Sequence, residues 1–481
     1  MGVQSLPEPR TRLDRFGREE YAPAVSEDPI TISLISLGCP KNLVDSEVLV
    51  GRLWDGPFEL SAEPEGSDVV VVNTCGFIGP ARAESIETIE EMLALKKRGD
   101  VNGVVVAGCL VSRLGKPITE RLPGVDAFLE LSDYEAAPEV IRRAAGRAVE
   151  ESASPARQEA GVPFFGEATE KTAEADLGRG LLTLPHTAYL RISEGCDRKC
   201  AFCAIPLIRG TQRSKPLDLL VEEAAQLSTL GVRELSLVGE ETTAWGSDLG
   251  YAYGEGIAEL LSALDDVEGI DWIRLLYAHP GSMKPSVIAA LRDLENVVPY
   301  LDMPVQHGDD DILKAMKRGT PSEKIREVVR TLRAEIPEIT LRTTILVGFP
   351  GETDERFESL LGFLEETRFE RLGCFVYSRE EGTSSYDLEG AVPAELAEQR
   401  RDRVMTLQRR IAEERNESLV GRPLDVMVDA ASDESGLGRT EGDAPQIDAN
   451  VHLTGAGLEP GAIVEARVTG TSGYDLEATV S

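Results

Sequence analysis

The strongest constraint on the fold is a regular alternation of short apolar runs and helical stretches in the middle of the chain. Six runs have the length and composition of buried strands: Tyr189–Ile192, Glu234–Val238, Trp272–Tyr277, Tyr300–Pro304, Thr340–Val347 and Arg371–Tyr377. The stretches between them with helical spacing include Asp218–Leu230, Pro285–Leu294, Ser322–Ala334 and Asp354–Glu366. Six βα units predict a barrel or partial barrel with its chemistry at the carboxyl ends of the strands. An open doubly wound sheet has the same periodicity and stays an alternative.

The regions on either side follow other patterns, and 481 residues suffice for about three domains. Three strands with helical connections precede the alternation and predict an α/β domain with a parallel sheet: Ile32–Leu37, Asp68–Val72 and Val104–Ala107. After it, the charged helix Ala394–Leu419 leads to short strands with Gly-rich turns, which predict a small β-barrel. The expected organisation is a flexible tail at 1–29, an N-terminal domain at 30–145, a linker at 146–185, the βα barrel with its connecting helix at 186–420 and the β-barrel at 421–481.

Charge and hydropathy narrow the possible partners. With 50 Lys+Arg and 84 Asp+Glu, the formal net charge is −34, so a nucleic acid partner would require a strong local basic patch. No apolar run approaches the ~18 residues of a membrane span. The chain also lacks the charged start and apolar stretch of a secretory signal. We therefore expect a cytoplasmic protein that makes no contact with membranes.

The sharpest chemical signal is a C-x3-C-x2-C run, Cys196, Cys200 and Cys203, directly after a predicted strand. Three thiolates on one loop can hold three irons of a four-iron cluster and leave the fourth iron without a protein ligand. A zinc site would require a fourth Cys or His nearby, and the sequence places none close to this run. The spacing favours an iron–sulfur cluster with an open iron over zinc or three buried thiols.

A second set of cysteines comes from three separate strands. Cys39, Cys75 and Cys109 each follow a predicted strand, in the contexts LGC, NTC and AGC. Parallel strands end at one edge of a sheet, so these three thiols are expected to converge and hold a second cluster. The alternative is three unrelated buried cysteines. Cys374 lies inside an apolar strand and is expected to be a core residue.

The cysteine loop ahead of βα repeats resembles the radical S-adenosylmethionine (SAM) superfamily. From residue 30 onward, the chain is similar to the methylthiotransferase family of that superfamily. The matching stretches are SLGCPKNLVDSE, VVVNTCGFI, AGCL, ISEGCDRKCAFCAIPLIRG, TTAWG, LDMPVQH, VGFPGET and DAPQID. This resemblance implies an α/β fold: an N-terminal methylthiotransferase domain, a radical SAM (βα)6 partial barrel and a C-terminal β-barrel similar to the TRAM domain.

Details within these stretches look like the branch of the family that modifies a protein. They are Asn42, Asp197-Arg198-Lys199 within the cysteine loop, Thr242-Thr243, and Gln306-His307. Glu240-Glu241 departs from the expected Gln-Asp, which leaves the role of that contact open. His307 on its own is interpreted as a structural loop residue.

The resemblance also implies cofactors and contacts. It implies two [4Fe-4S] clusters, one held by the run of three cysteines and coordinating SAM, the other an auxiliary cluster on Cys39, Cys75 and Cys109. The residues that resemble SAM contacts are Phe202, Gly239, Glu240, Gln306, Leu346 and Gly348. An ordinary core or turn role is the alternative for each of these six. When bound and reduced, such a cluster supplies a deoxyadenosyl radical that abstracts hydrogen from the substrate.

The implied reaction is conversion of C–H to C–S–CH3 on an aspartate of small-subunit ribosomal protein S-12. Its implied partners are that protein and an electron donor such as flavodoxin or ferredoxin. Methylthiolation of a tRNA adenosine is an alternative, but residues 421–481 contain three arginines, no lysine and eleven acidic residues. That balance makes tRNA an unfavourable partner. A non-catalytic iron–sulfur carrier or sensor is the third hypothesis, although carriers normally complete each cluster with four thiolates.

Overall fold

The computed structural model describes residues 28–54, 56–147, 164–165 and 176–480. The chain divides into two compact units. The first unit contains residues up to Thr183 together with Ala204–Thr211, and the second contains Leu184–Cys203 and the chain from Gln212 onward. Most of the expected tail at 1–29 and most of the expected linker at 146–185 lie outside the described residues.

The first unit is built on a parallel sheet. Within the described residues this sheet has six strands, in the spatial order β2-β1-β3-β4-β5-β6. The strands are β1 (Ile30–Ser36), β2 (Phe58–Ser61), β3 (Val69–Thr74), β4 (Gly103–Gly108), β5 (Ala127–Leu129) and β6 (Phe164–Phe165). The helices are α1 (Pro40–Leu53), α2 (Gly79–Arg98), α3 (Cys109–Leu114), α4 (Ile118–Arg121), α5 (Ala137–Ala144) and α6 (Ile205–Ile208).

The strands at the centre of this sheet are β-branched because both of their faces are covered. Every residue of β3 and β4 is buried. Val71 packs in a cluster with Leu49 of α1, whereas its neighbour Val72 packs on the opposite face with Ile89 of α2. The three predicted strands are therefore confirmed. The sequence prediction missed β2, β5 and β6, which have two to four residues and are too short for periodicity to reveal.

The second unit contains the βα repeats. Its sheet, counted over the described residues, has six parallel strands in the order β14-β13-β12-β11-β10-β7. The strands are β7 (Thr187–Arg191), β10 (Glu234–Val238), β11 (Trp272–Leu275), β12 (Val297–Asp302), β13 (Thr340–Val347) and β14 (Arg371–Val376); a separate hairpin joins β8 (Ser193–Glu194) to β9 (Arg213–Ser214). The helices are α7 (Leu217–Thr229), α8 (Gly256–Asp265), α9 (Pro285–Asp293), α10 (Asp310–Ala315), α11 (Ser322–Glu335), α12 (Asp354–Thr367) and α13 (Ala394–Leu419).

The strand order decides between the two predicted architectures. Each strand of the sheet pairs with the next one along the chain, and the order never reverses. A doubly wound sheet reverses its order at a switch point, so the partial barrel is confirmed. Cys374 lies on the edge strand β14 and is half-buried, so the prediction that it is a core residue was wrong.

The C-terminal region forms a closed five-stranded barrel in the part of the chain that the structure describes. Its strands are β15 (Pro423–Ala431), β16 (Ser435–Thr440), β17 (Val451–Thr454), β18 (Ile463–Ser472) and β19 (Asp475–Val480). The segment between β16 and β17 anchors this barrel to the parallel sheet. Asp443 accepts a hydrogen bond from Arg371 at 2.6 Å, and the carboxylate of Asp448 accepts one from the Tyr300 hydroxyl at 2.6 Å. The predicted α/β fold with a small C-terminal β-barrel is confirmed.

No helix among the described residues combines the length and the apolar composition that crossing a bilayer would require.

Candidate active site

The first unit brings Cys39, Cys75 and Cys109 to one edge of its sheet. Cys39 lies just before α1, Cys75 follows the last residue of β3, and Cys109 is the first residue of α3, directly after β4. The pairing register aligns these strand ends, because Thr74 pairs with Gly108. All three thiols are free, as the sequence prediction requires of cluster ligands.

Two glycines allow the backbone to pass close to these thiols. Gly38 has φ +98°, and a Cβ atom there would lie 3.1 Å from the Cys75 sulfur. Gly108 has φ +95°, and a Cβ atom there would lie 2.2 Å from Asn73 Oδ1. A side chain at either position is therefore excluded both by conformation and by space.

The thiols of this set sit in a mostly dry environment. Burial raises the pKa of Cys109 to about 12, although the nearby Arg209 guanidinium opposes the rise. Burial also raises the pKa of Cys75, and the backbone N–H of Phe77 opposes it. Cys75 and Cys109 are therefore protonated near neutral pH in the metal-free protein, and binding iron would release their protons. Three convergent thiols beside a buried cation fit the chemistry of an iron–sulfur cluster.

The second unit carries the other three cysteines on a loop between β8 and α6. Cys196, Cys200 and Cys203 are all half-exposed. Main-chain hydrogen bonds fix the loop, since Ala201 N–H donates to the Met316 carbonyl at 2.9 Å. A guanidinium nitrogen of Arg318 lies 3.3 Å from the Cys200 sulfur and supplies a positive charge beside it. Burial raises the pKa of Cys196 to about 11, and the backbone N–H of Arg198 opposes this rise.

A side-chain clamp holds the same loop from the other side. Both oxygens of the Glu241 carboxylate bind Arg198, the middle residue between Cys196 and Cys200. The hydroxyl of Tyr253 donates to Glu241 at 2.5 Å, and that of Ser282 donates to it at 3.1 Å. Glu241 is buried, so this carboxylate fixes the shape of the cysteine loop rather than facing solvent. This contact accounts for one of the two residues that departed from the expected pattern.

Four of the residues that resemble SAM contacts lie at the carboxyl ends of the strands. Gly239 and Glu240 follow β10, where a Cβ atom on Gly239 would lie 2.8 Å from Ser193 Oγ. Gln306 follows β12 and has φ +75°, a left-handed conformation that its backbone bonds to Thr344 and Leu346 maintain. Gly348 follows β13 and also has a positive φ, of +76°.

The other two, Phe202 and Leu346, each pack against an apolar cluster that contains Phe349. Both are half-buried, so each has an exposed edge beside the cysteine loop or the end of β13. Their contacts are compatible with a ligand-binding role and equally with the core role that the sequence left open.

Sequence reasoning missed a buried polar chain behind the ends of β12 and β13. His307 is buried, and its Nε2 lies 3.6 Å from the Glu352 carboxylate. The same carboxylate accepts hydrogen bonds from Gly348 N–H at 2.8 Å and from Arg400 of α13 at 2.9 Å. The interpretation of His307 as a structural loop residue stays a prediction. The signal for its partners was weak, because Arg400 lies 48 residues from Glu352 in a helix rich in arginine.

Neither cysteine set has the geometry of a site for a single metal ion. Among the described residues, no group of three or more His, Cys, Asp or Glu side chains surrounds one common position. In a cubane each thiolate binds a different iron atom, so its ligands need not surround one point. The three thiols of each set fit the chemistry of such a cluster.

Comparison with known families gives three matches along the chain. Residues 31–130 match the uncharacterized protein family UPF0004, residues 190–364 match the radical SAM superfamily, and residues 420–480 match the TRAM domain. The UPF0004 match contains Cys39, Cys75 and Cys109, and the radical SAM match contains Cys196, Cys200 and Cys203.

Relatives of nearly the full length are similar in sequence. The chain is 42% identical over 452 residues to the ribosomal protein uS12 methylthiotransferase RimO of Sorangium cellulosum, covering 92% of this chain and 90% of the relative. It is 42% identical to the RimO protein of Geotalea uraniireducens, covering 92% and 97%. With the RimO protein of Myxococcus xanthus the identity is 43%, over 94% and 92% of the two chains.

A solved structure shares the fold at low sequence identity. The radical SAM methyltransferase TsrM from Kitasatospora setae, with tryptophan substrate and the SAM analog aza-SAM bound, aligns with a TM-score of 0.52. The alignment covers 84% of this chain and 79% of TsrM, at 15% identity. At that identity the likeness concerns the fold alone.

Proposed function

Because the chain belongs to the RimO family of ribosomal protein uS12 methylthiotransferases, we propose that it converts a C–H bond of an aspartate in uS12 to C–S–CH3. The observation that carries this proposal is the presence of two separate cysteine triplets, one at the strand ends of the first unit and one on a loop of the second. A carrier protein would need one complete ligand set for each cluster. Two sets of three thiols instead favour two clusters that each keep one iron open.

The radical SAM superfamily implies one [4Fe-4S] cluster and SAM, and Cys196, Cys200 and Cys203 are the proposed ligands. When bound, that cluster and SAM supply the radical that takes hydrogen from the substrate. The chain's own residues hold the ligand loop, through the Arg198–Glu241 clamp and the Arg318 contact to Cys200. Phe202, Gly239, Glu240, Gln306, Leu346 and Gly348 are the proposed SAM contacts.

Cys39, Cys75 and Cys109 are the proposed ligands of the auxiliary cluster, which when bound would supply the methylthio group. Their convergence at one sheet edge supports this assignment, as do the two glycines that admit the backbone beside them. Flavodoxin or ferredoxin is the proposed electron donor. The proposed substrate implies action in the cytoplasm.

The surface of the C-terminal barrel supports a basic protein substrate rather than tRNA. Its exposed acidic residues are Asp425, Asp433, Glu434, Glu459, Glu465 and Glu477. Arg439 is buried in an ion pair with Glu234, which leaves Arg422 and Arg467 as exposed arginines among the described residues of this barrel. Such a surface attracts basic proteins, as ribosomal proteins generally are, and repels phosphates.

The proposal is tested by mass spectrometry of uS12 and of tRNA from cells that lack the gene. Loss of the added mass of CH2S from uS12, with tRNA unchanged, is the expected result. Restoration by the wild-type gene, but not by one with Cys203→Ala, controls for indirect effects. Loss from tRNA alone would overturn the proposal in favour of the tRNA alternative.

The role of the acidic barrel surface in uS12 binding is tested in the full chain. The full chain is needed because Arg439, Asp443 and Asp448 of the barrel pair with residues of the parallel sheet. An isolated fragment 421–481 would expose these groups. Replacing Asp425, Glu465 and Glu477 by Lys is expected to weaken uS12 binding, with a smaller salt dependence than in the wild type. Unchanged uS12 affinity would contradict a role for this surface.

A further inference from the structure

The sulfur of Cys109 has polar partners supplied by two distant parts of the first unit. The guanidinium of Arg209 lies 3.3 Å from it, and the side-chain oxygen of Asn42 lies 3.9 Å from it. Arg209 lies in Ala204–Thr211, the segment that follows Cys203 in the chain and belongs to the first unit. Ala204 and Ile208 of this segment also pack against Cys109.

Arg209 is a built feature of the site rather than a surface arginine. Its side chain is 2% exposed, and the same nitrogen that approaches Cys109 binds the Asp45 carboxylate at 2.5 Å. Burying a guanidinium is costly unless it is paired, so Asp45 permits Arg209 to stay inside. A planar guanidinium can bind a carboxylate and a sulfur together, which a lysine ammonium does less specifically.

The side chain of Asn42 also contacts the backbone at the ends of the other two strands. Its side-chain amide donates to the Leu37 carbonyl at 2.5 Å and lies 3.4 Å from the Thr74 carbonyl. Leu37 is two residues before Cys39, and Thr74 directly precedes Cys75. The asparagine therefore fixes the geometry of all three cysteines, and the arginine adds charge to one of them.

We propose that Arg209 is a positioning residue that, through its hydrogen bond to the Cys109 sulfur, raises the reduction potential of the auxiliary cluster. This inference rests on the proposed function, since it requires that Cys109 be a cluster ligand. A buried cation beside a ligand sulfur stabilises the electron that a cluster accepts, and hydrogen bonds to ligand sulfurs act in the same direction. Asp45 holds the cation in place and partly offsets its charge.

The charge balance at Cys109 supports this direction. The guanidinium of Arg209 lies 3.3 Å from the Cys109 sulfur, and Asp45 binds that same guanidinium nitrogen rather than the sulfur. The Arg209–Asp45 pair as a whole therefore favours negative charge on the sulfur. An added electron on the neighbouring iron atoms benefits from the same positive field.

The test uses the full chain with Cys196, Cys200 and Cys203 replaced by Ala, so that iron is bound only by the auxiliary set. After anaerobic reconstitution, iron and sulfide content and the midpoint potential are measured, the latter by a redox titration followed by electron paramagnetic resonance. Arg209→Gln is expected to shift the midpoint to a more negative potential. Arg209→Lys keeps the charge and is expected to shift it less.

Two further variants keep the result decisive. Asp45→Asn removes the offsetting charge and is expected to shift the midpoint in the positive direction. Lys96→Gln is the matched control, because Lys96 pairs with Asp126 beside the start of β4, at the opposite end of the strands, and it should leave the midpoint unchanged.

The inference is overturned if Arg209→Gln retains its cluster with an unchanged midpoint, or if Asp45→Asn moves the midpoint in the negative direction. If Arg209→Gln binds no iron, Arg209→Lys and Asp45→Asn decide. Loss of iron in Arg209→Lys as well would mean that the guanidinium is needed only to hold the fold. Failure of the parent triple variant to bind any cluster would instead overturn the auxiliary cluster of the proposed function.

Discussion

Each of the two cysteine sets supplies three thiols, but the two sets are built from different kinds of structure. In the first unit, Cys39, Cys75 and Cys109 come from the ends of three strands, and two of them are buried. In the second unit, Cys196, Cys200 and Cys203 lie within one short loop, and all are half-exposed. The first set depends on sheet register and on backbone packing, whereas the second depends on a few side chains that hold a loop. Changes in the sheet or in the clamp should therefore affect one set and spare the other.

The largest expected effect comes from removing the ligands themselves. Replacing Cys196, Cys200 or Cys203 by Ala should abolish deoxyadenosine formation from SAM and dithionite, because the cluster that binds SAM would lose a ligand. Replacing Cys39, Cys75 or Cys109 should leave deoxyadenosine formation detectable and abolish methylthio transfer to uS12. Both products are measured by chromatography with mass detection.

Circular dichroism of each variant is the control for folding in this experiment. If both sets of variants lost deoxyadenosine formation equally while remaining folded, the two cysteine sets would not divide the work as proposed.

The next largest effect is expected from replacing Gly108 of the first unit, which should disturb Cys39, Cys75 and Cys109 and leave the cysteine loop of the second unit intact. A Cβ atom at Gly108 would lie 2.8 Å from the Thr74 carbonyl oxygen, whereas one at Gly99 would meet nothing within 4 Å; both glycines have positive φ. Gly99→Ala should therefore lower the free energy of unfolding by about 1 kcal/mol. Gly108→Ala adds a clash with backbone and should cost about 2–4 kcal/mol.

The matched pair is read out by urea unfolding and by iron content. Gly108→Ala should lose the auxiliary iron and keep deoxyadenosine formation, while Gly99→Ala keeps both. If the two variants had equal stability and equal auxiliary iron content, Cys39, Cys75 and Cys109 would be able to bind iron even when β4 moves.

These contrasts also show what the sequence could and could not predict. The strand ends with their cysteines follow from β-branched runs such as Val69–Val72, because the sheet edge is a consequence of local pattern. Arg209 could not be assigned, since its partner Cys109 lies 100 residues away and only the tertiary fold brings them together. Asn42 was noticed only as a feature of the family motif, and its contacts to Leu37 and Thr74 depend on the alignment of two strands.

The Arg198–Glu241 clamp of the second unit could not be predicted from the sequence. Glu241 departs from the residue expected at its position, and no partner for it can be identified from the sequence. Its pairing with Arg198 spans 43 residues and requires the end of β10 to lie beside the cysteine loop. The anchoring of the C-terminal barrel through Asp443 and Asp448 could likewise not be predicted, because their arginine partners lie far away in the chain, on β13 and β14 of the parallel sheet.

A smaller effect on deoxyadenosine formation is expected from breaking the Arg198–Glu241 clamp. Glu241→Gln leaves the half-buried Arg198 guanidinium without its carboxylate, which costs about 1–3 kcal/mol. If that cost falls on the arrangement of the cysteine loop, deoxyadenosine formation should drop by about tenfold to a hundredfold. Iron in the auxiliary set should not change.

Glu259→Gln is the matched control for this variant, because Glu259 of α8 is exposed and accepts a hydrogen bond from the Tyr251 hydroxyl at 3.4 Å, away from the clamp. The Michaelis constant for SAM and the rate are measured separately. A drop of auxiliary iron in Glu241→Gln would contradict the independence of the two sets.

The smallest effect concerns the metal-free, reduced chain, in which the sets differ in thiol reactivity. Only the thiolate reacts with iodoacetamide, so a thiol whose pKa lies above the working pH reacts faster as the pH rises. Burial raises the pKa of Cys109 to about 12 and that of Cys196 to about 11, so both thiols are mainly protonated at pH 8 to 9. Cys196 is half-exposed and Cys109 is buried, so Cys196 should be labelled faster, and both rates should rise about tenfold between pH 8 and pH 9. Trypsin cleaves after Arg198 and Lys199 and so separates Cys196 from Cys200 for mass spectrometry. Equal labelling of Cys109 and Cys196 would mean that the first unit opens in the absence of iron, and that its sheet edge is formed only when the cluster binds.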